Sequence, residues 1–238
     1  LSVGKKFKHP GDCEYLDGVH LGVAIMQSGD GHHVGLLYRL DDSVRLLHLG
    51  WHRDLRDQPV SDGMRYLWAP IELTQEEQVA LSAMASEVAV NVQPTDLRYG
   101  LDWNYVDSAG LFDSEDKVIV YPVGKGVTCA TFLYALFMWW GYKPVDSSTW
   151  KNLDGDEVWQ AWVVSLLAGS ENEDSCNQAR ELAADVGCLR LRPEQIAAAC
   201  AFDVDAWPLA FDDACELAAD VVAQVAFEAA KLAGVHEG

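Results

Sequence analysis

The 238-residue chain is poor in the features that mark several large functional classes. It has 17 basic residues against 37 acidic ones, a formal net charge of −20. Such a surface repels polyphosphate backbones and anionic lipid, which argues against nucleic-acid binding and against docking on anionic membranes. The acids are spread along the chain rather than gathered in one tail, so solubility accounts for them. Six cysteines, at 13, 129, 176, 188, 200 and 215, include no Cys-x-x-Cys pair, which removes the usual zinc-ribbon and redox frames. The longest uncharged run, residues 126–142, falls short of the roughly 18 residues a membrane span needs, and reads as a buried helix. The lysine in "GKG" at 124–126 lacks the Gly-x-x-x-x-Gly-Lys frame of a phosphate loop and reads as a turn. The first residues carry bases but no apolar run after them, unlike an export signal. Free thiols and a cytoplasmic location are therefore expected.

What remains is an ordinary globular composition, half hydrophobic and about a quarter charged. "VHLGVAIMQ" (19–27) reads as a strand, "SGDG" as a turn, and 33–39 with 44–49 as a hairpin around Asp41-Asp42. Thr74 followed by Glu77 forms a capping-box signature for a helix over 75–90. "DLRYGLDWNYV" reads as extended, 116–123 as a further strand, and the apolar run as a helix opened by Thr128 and closed by Gly141. After Pro144 four segments, 155–169, 171–187, 192–202 and 211–234, are helical by periodicity and alanine content. The twice-occurring "ELAAD" is composition rather than a repeat. The expectation is an α+β core over 1–145 and a helical C-terminal extension over 146–238.

Histidine is scarce, yet four of the seven lie in "GHHVGLLYRLDDSVRLLHLGWH", residues 31–52. A two-residue turn at Asp41-Asp42 pairs Leu40 with Ser43, Leu37 with Leu46 and Gly35 with His48. His33 and His48 then share a sheet face as diagonal neighbours, and Gly35 between them leaves room for their rings. His32 points the other way. Cys129 falls in the first turn of the apolar helix, where free backbone N–H groups and the helix dipole favour a thiolate and can also hold an oxyanion. A cysteine at a helix start, a histidine base and a third polar group to orient it make up the machinery of thiol nucleophilic catalysis. In that reading Cys129 is the nucleophile, His33 the base and His48 the orienting group, with His52 and Asp30 as alternatives for the third role. His33, His48, His52 and Asp30 lack any ligand spacing that would favour zinc, so no metal is expected. Trp51, Trp103 and Tyr105, with Tyr121, are candidates to line a substrate groove. Trp139 and Trp140, at the far end of the helix, read as packing.

These strings resemble a known family. "HHVGLLYR", the second histidine in "LLHLGWH", "RYGL" with its aromatic loop, and "GVTCATFLYALF" look like the circularly permuted branch of the NlpC-like papain-fold superfamily, to which the lecithin–retinol acyltransferases belong. The likeness covers roughly residues 18–143. It implies a papain-like antiparallel sheet packed on the Cys-bearing helix, with His33 as base, His48 as orienter, Cys129 as nucleophile, and no cofactor. Where the acyltransferases carry asparagine before and an acidic residue after the cysteine, this chain has Thr128 and Ala130. A cysteine hydrolase acting on a peptide or isopeptide amide, or on a thioester, through an acyl-enzyme therefore stands ahead of a lipid acyltransferase. The alternative of another class is a non-catalytic module of the same fold whose acidic helical extension binds a basic protein partner.

Overall fold

A computed structural model describes residues 7–9, 14–61 and 64–234, and Cys13 lies outside them. Five strands, β1 (Leu21–Ser28), β2 (Gly31–Leu40), β3 (Ser43–Trp51), β4 (Asp54–Pro59) and β5 (Leu67–Pro70), form one antiparallel sheet in the order β4-β3-β2-β1-β5. Seven α-helices follow among the described residues: α1 (Gln75–Asn91), α2 (Trp103–Ala109), α3 (Cys129–Trp139), α4 (Asp156–Ala168), α5 (Glu173–Leu182), α6 (Pro193–Ala201) and α7 (Phe211–Gly234). The fold is thus α+β, an antiparallel sheet packed against several helices.

The sheet alternates between two apolar faces. Val23, Ile25, Val34, Leu36, Tyr38, Leu47 and Leu49 face the helices and belong to the main core. Ala24, Leu37 and Leu46 face the other way, into a smaller cluster closed by Tyr15, Leu16, Tyr66 and Trp68. Strands buried on both faces lose the simple apolar–polar alternation of a half-exposed sheet. The β2–β3 register has Leu40 opposite Ser43 and Leu37 opposite Leu46, across a two-residue turn in which Asp41 takes φ 50°. That is the register the hairpin sequence predicts.

α3 is apolar on all sides, and its residues from Cys129 to Phe137 are buried. A helix of this kind belongs in a core rather than on a surface. Its start is fixed by a reciprocal cap: the Thr131 N–H donates to Thr128 Oγ1 and the Thr128 N–H to Thr131 Oγ1, at 3.1 and 2.7 Å. Gly141, at φ 85°, follows its end. α6, opened by Pro193 and rich in alanine, is buried nearly all round, and its small side chains let it lie against β1, β2 and α3. α1 and α7 complete the helical layer on β1. One apolar cluster therefore runs from the sheet through α3 to Leu217 and Val221 of α7.

Two local expectations differ from the structure, and two strands carry no expectation. Residues 103–109 form α2, because Asp102 accepts the Tyr105 N–H and caps a helix there. Residues 116–123 join no sheet; apart from a bridge between Phe112 and Val118 they are irregular, with Val120 and Val123 exposed. β4 and β5 carry no clear pattern: "DLRDQP" is a polar edge strand with only Leu55 buried, and β5 is four residues ending in proline.

Gln178 of α5 holds two loops of the core together. It is fully buried, donates from Nε2 to the carbonyls of Tyr99 and Lys125 at 2.6 and 3.2 Å, and accepts the Gly124 N–H at 3.0 Å. Gln178→Leu keeps the volume but strands these backbone groups. It is expected to cost about 1–3 kcal/mol, read as a lowered urea midpoint with an unchanged slope.

Candidate active site

The hairpin brings His33 and His48 together. His33 Nε2 lies 2.7 Å from His48 Nδ1, with the ring centroids 4.8 Å apart and the planes at 75°. Gly35 makes this contact possible. A Cβ there would sit 2.9 Å from the His48 Cβ and 2.8 Å from the Leu46 side chain, both closer than real atoms allow. By strand parity both histidines lie on the face of Leu37 and Leu46, and the Tyr66 ring closes over them at 6.3 and 6.4 Å. His48 is buried, 3% exposed, and His33 is half-buried. On the far side of His48, the Gln58 amide of β4 reaches its Nε2 at 3.4 Å. Arg56, directly across β4 from His48, is ion-paired to Asp54.

Cys129 is the first residue of α3 and is buried. The backbone N–H groups of Val34, next in the chain to His33, of Ala130 and of Cys129 itself favour its thiolate. The core helix packs against β2 and β3, the two strands that carry His33 and His48. Tyr66, in ring contact with both histidines, and Tyr99 both feel the charge of a Cys129 thiolate.

Electrostatics here are dominated by burial, which penalises the charged form of every group. His33 is pushed down to about 4 by burial, then by His48 and Arg56. His48 is likewise pushed down to about 4 by burial and Arg56, with Asp54 acting the other way. Burial pushes the Cys129 thiol up, against the three N–H groups and the charge of Arg190. This reverses the direction expected from the helix start alone: desolvation of a sealed thiolate outweighs the dipole. Burial also pushes Tyr66 up to about 12. At neutral pH the resting site holds a thiol and two neutral imidazoles.

The other candidates fall elsewhere. His32 lies 3.2 Å from Glu194 of α6, away from the pair. His52 is engaged as a strut, its Nε2 2.8 Å from Asp174 of α5 and its Nδ1 accepting the Tyr99 N–H at 3.1 Å. Asp30 is exposed at the β1–β2 turn. Trp51 is half-buried and packs on Tyr99 with centroids 4.7 Å apart, which sets it beside the cysteine's surroundings. Trp103 is buried in the core, edge-on to Tyr134 and Trp150. Tyr105 is half-buried against Tyr121, with the Lys125 ammonium 5.5 Å from its ring. Among the described residues no group of three or more His, Cys, Asp or Glu side chains is placed to hold a metal ion.

Tyr66, Gln58, Arg56 and Arg190 are neighbours that sequence reasoning missed. Arg190, bound to Asp156 at 2.9 Å and stacked on Trp159 at 3.5 Å, comes from the C-terminal helical part. Gln58 and Arg56 were findable only by extending the sheet to a strand of polar sequence. Compared with known proteins, the chain matches no family model, no curated protein and no solved structure.

The depressed histidines have a consequence for stability. A folded-state value below the usual 6.5 means that the unfolded chain binds more protons as pH falls. Their contribution is full above about 6.5 and is lost as pH falls towards 4. The urea midpoint is therefore expected to decline between pH 6.5 and 4, and the His33→Asn, His48→Asn double variant to flatten that decline. An unchanged slope in the double variant counts against buried neutral histidines.

Proposed function

We propose that this chain is a cysteine hydrolase of papain-like type, acting on an amide or thioester through an acyl-enzyme. The observation that carries the reading is the 2.7 Å contact between His33 of β2 and His48 of β3, two strands that α3, with Cys129 at its start, packs against. Within it, the antiparallel sheet packed on the Cys-bearing helix is a papain-like core in permuted order.

The chemistry follows from the resting state. With thiol and imidazole both neutral, no ion pair waits for substrate; the proton moves as the carbonyl is attacked. His33 takes the proton from the Cys129 sulfur while sulfur adds to the substrate carbonyl carbon. The backbone N–H groups around the helix start stabilise the developing negative charge. Collapse of the tetrahedral species breaks the bond to the leaving amine or thiol, which takes the proton from His33. Water then attacks the thioester with His33 again as base, the carbon–sulfur bond breaks, and the thiol regains its proton. His48 holds the His33 ring and accepts its second N–H when the ring is charged. Trp51 and Tyr99 flank the approach for a peptide-like or acyl substrate. No step calls for a metal or organic cofactor.

A second reading has one observation behind it. Val158, Trp162 and Leu166 form an exposed apolar row on α4 at i, i+4 and i+8, in the acidic helical part. A basic amphipathic partner would suit such a face.

Catalysis and simple exposure rank the thiols oppositely, and this separates the readings. Cys176, Cys188 and Cys215 are partly exposed, whereas Cys129 is buried. Treated with an activated ester or thioester acyl donor, the protein is expected to carry one acyl group on Cys129, located by mass spectrometry. Cys129→Ala abolishes it, and His33→Ala slows it roughly a hundred- to ten-thousand-fold. Acylation of the exposed cysteines with Cys129 untouched sinks the hydrolase reading and favours the binding one.

A further inference from the structure

The pair of histidines ends on a side chain of unusual versatility. His48 presents Nδ1 to His33 Nε2 at 2.7 Å and Nε2 to the amide of Gln58 at 3.4 Å. Gln58 stands on β4 opposite Leu46, so its side chain shares the sheet face of His48 two residues along. Three side chains from three adjacent strands thus form one continuous line: β2, β3, β4.

Two proton arrangements satisfy this line, and they are mirror images. With the amide nitrogen facing His48, as here, Gln58 donates to His48 Nε2. His48 then carries its proton on Nδ1 and donates to His33 Nε2. That leaves the His33 proton on Nδ1, so no lone pair is available to accept another. With the amide turned over, its oxygen accepts from His48 Nε2–H. His48 Nδ1 then accepts from His33 Nε2–H, and His33 Nδ1 is free as a base. The second arrangement is also the one demanded once His33 is doubly protonated, because its Nε2–H then has to donate outward along the line. An amide is the neutral group that serves both directions, since it offers a donor on one side and an acceptor on the other.

We propose that Gln58 is a positioning residue that sets the direction of the His33–His48 hydrogen-bond chain, and that rotation of its amide converts a resting base into a competent one. This rests on the hydrolase reading for its purpose but not for its geometry. A carboxylate at 58 would fix the competent direction. An apolar side chain would leave His48 Nε2 without a partner and the chain without a direction.

The charged and titratable groups around His48 are Arg56 and Asp54 of β4, Tyr66 over the ring face, and His33 of β2. All are retained in the variants, so a change traces to position 58.

The test is made on the full chain with 15N-labelled histidine. Long-range proton–nitrogen correlation spectra of wild type, Gln58→Glu and Gln58→Met read which nitrogen of His48 bears the proton. Acylation of Cys129 across pH 4 to 9 is followed in parallel. Expected are a Nδ1-protonated His48 in wild type, a Nε2-protonated His48 in Gln58→Glu, and a mixture of both in Gln58→Met. The acid limb of the acylation profile moves up in Gln58→Glu by about one pH unit, since a carboxylate favours the charged imidazole; at fixed pH below the limb the rate then falls about tenfold. One unchanged His48 tautomer in all three proteins overturns the proposal, as does an acid limb that stays in place in Gln58→Glu while only the thermal midpoint moves. Absence of acyl-Cys129 in wild type would count against the hydrolase reading alone, because the spectra report the chain of hydrogen bonds with or without chemistry.

Discussion

The parity of one hairpin governs the candidate site. Two residues in the turn at Asp41-Asp42 put Leu37 opposite Leu46, and the same count carried down the strands puts His33 and His48 on one face. One residue more or fewer would turn His48 towards the helices and leave His33 facing Leu47 or Leu49. Gly35 is the second half of the constraint. The imidazoles meet across the place where its side chain would be, and a Cβ there would press on the His48 Cβ at 2.9 Å and the Leu47 carbonyl oxygen at 3.2 Å. The turn sets which face, and the glycine sets how close. A similar approach occurs at Gly126, where a Cβ would lie 2.1 Å from the Arg98 carbonyl oxygen; there it lets the Tyr99–Val127 bridge form just ahead of α3. Both ends of the site therefore depend on positions where a side chain would not fit.

Burial then determines how such a site works. A thiol at an exposed helix start is expected to ionise early, and the N–H groups at Cys129 do act in that direction. They are outweighed because the same packing that seats α3 against β2 takes the sulfur out of water. The histidines are shifted by the same cause in the opposite sense, so thiol and imidazole values move apart rather than together. A pair arranged like this is uncharged at neutral pH.

The site was legible in the sequence to the extent that it obeys short-range rules. Strand alternation and a two-residue turn suffice to pair His33 with His48, and a threonine cap suffices to place Cys129 at a helix start. The α+β layout and the four later helices follow from periodicity. What escaped depends on tertiary contact. β4 gives no strand signal because it is a polar edge strand, whose Arg56 and Gln58 share the histidines' face of the sheet. α2 escaped because an aromatic-rich stretch suggests extended chain, while Asp102 supplies a cap that tips it into a helix. Trp103 reads equally well as groove wall or core, and only its contacts with Tyr134 and Trp150 place it in the core. The direction of the cysteine's shift was beyond reach for the same reason, since local sequence reports the dipole and not the depth of burial.

The helices after Pro144 are bound to the site by polar as well as apolar contacts. Asp174 of α5 gathers His52, Arg53 and Arg98 around one carboxylate, and burdened with three partners it is held down to about 2. His52 passes that tether on to the Tyr99 N–H, beside the cysteine. Gln178 holds the carbonyl of the same Tyr99 and the loop before α3. Glu194 of α6 meets His32, the residue just before His33. Each of these links ends one or two residues from a member of the candidate triad or from the loop that delivers it. A helical layer attached only for solubility would have no reason to satisfy buried backbone groups at those points. Its acidic surface faces solvent, but its inner side helps hold Cys129 and β2 in register with each other, and that is a structural condition for any chemistry at the sulfur.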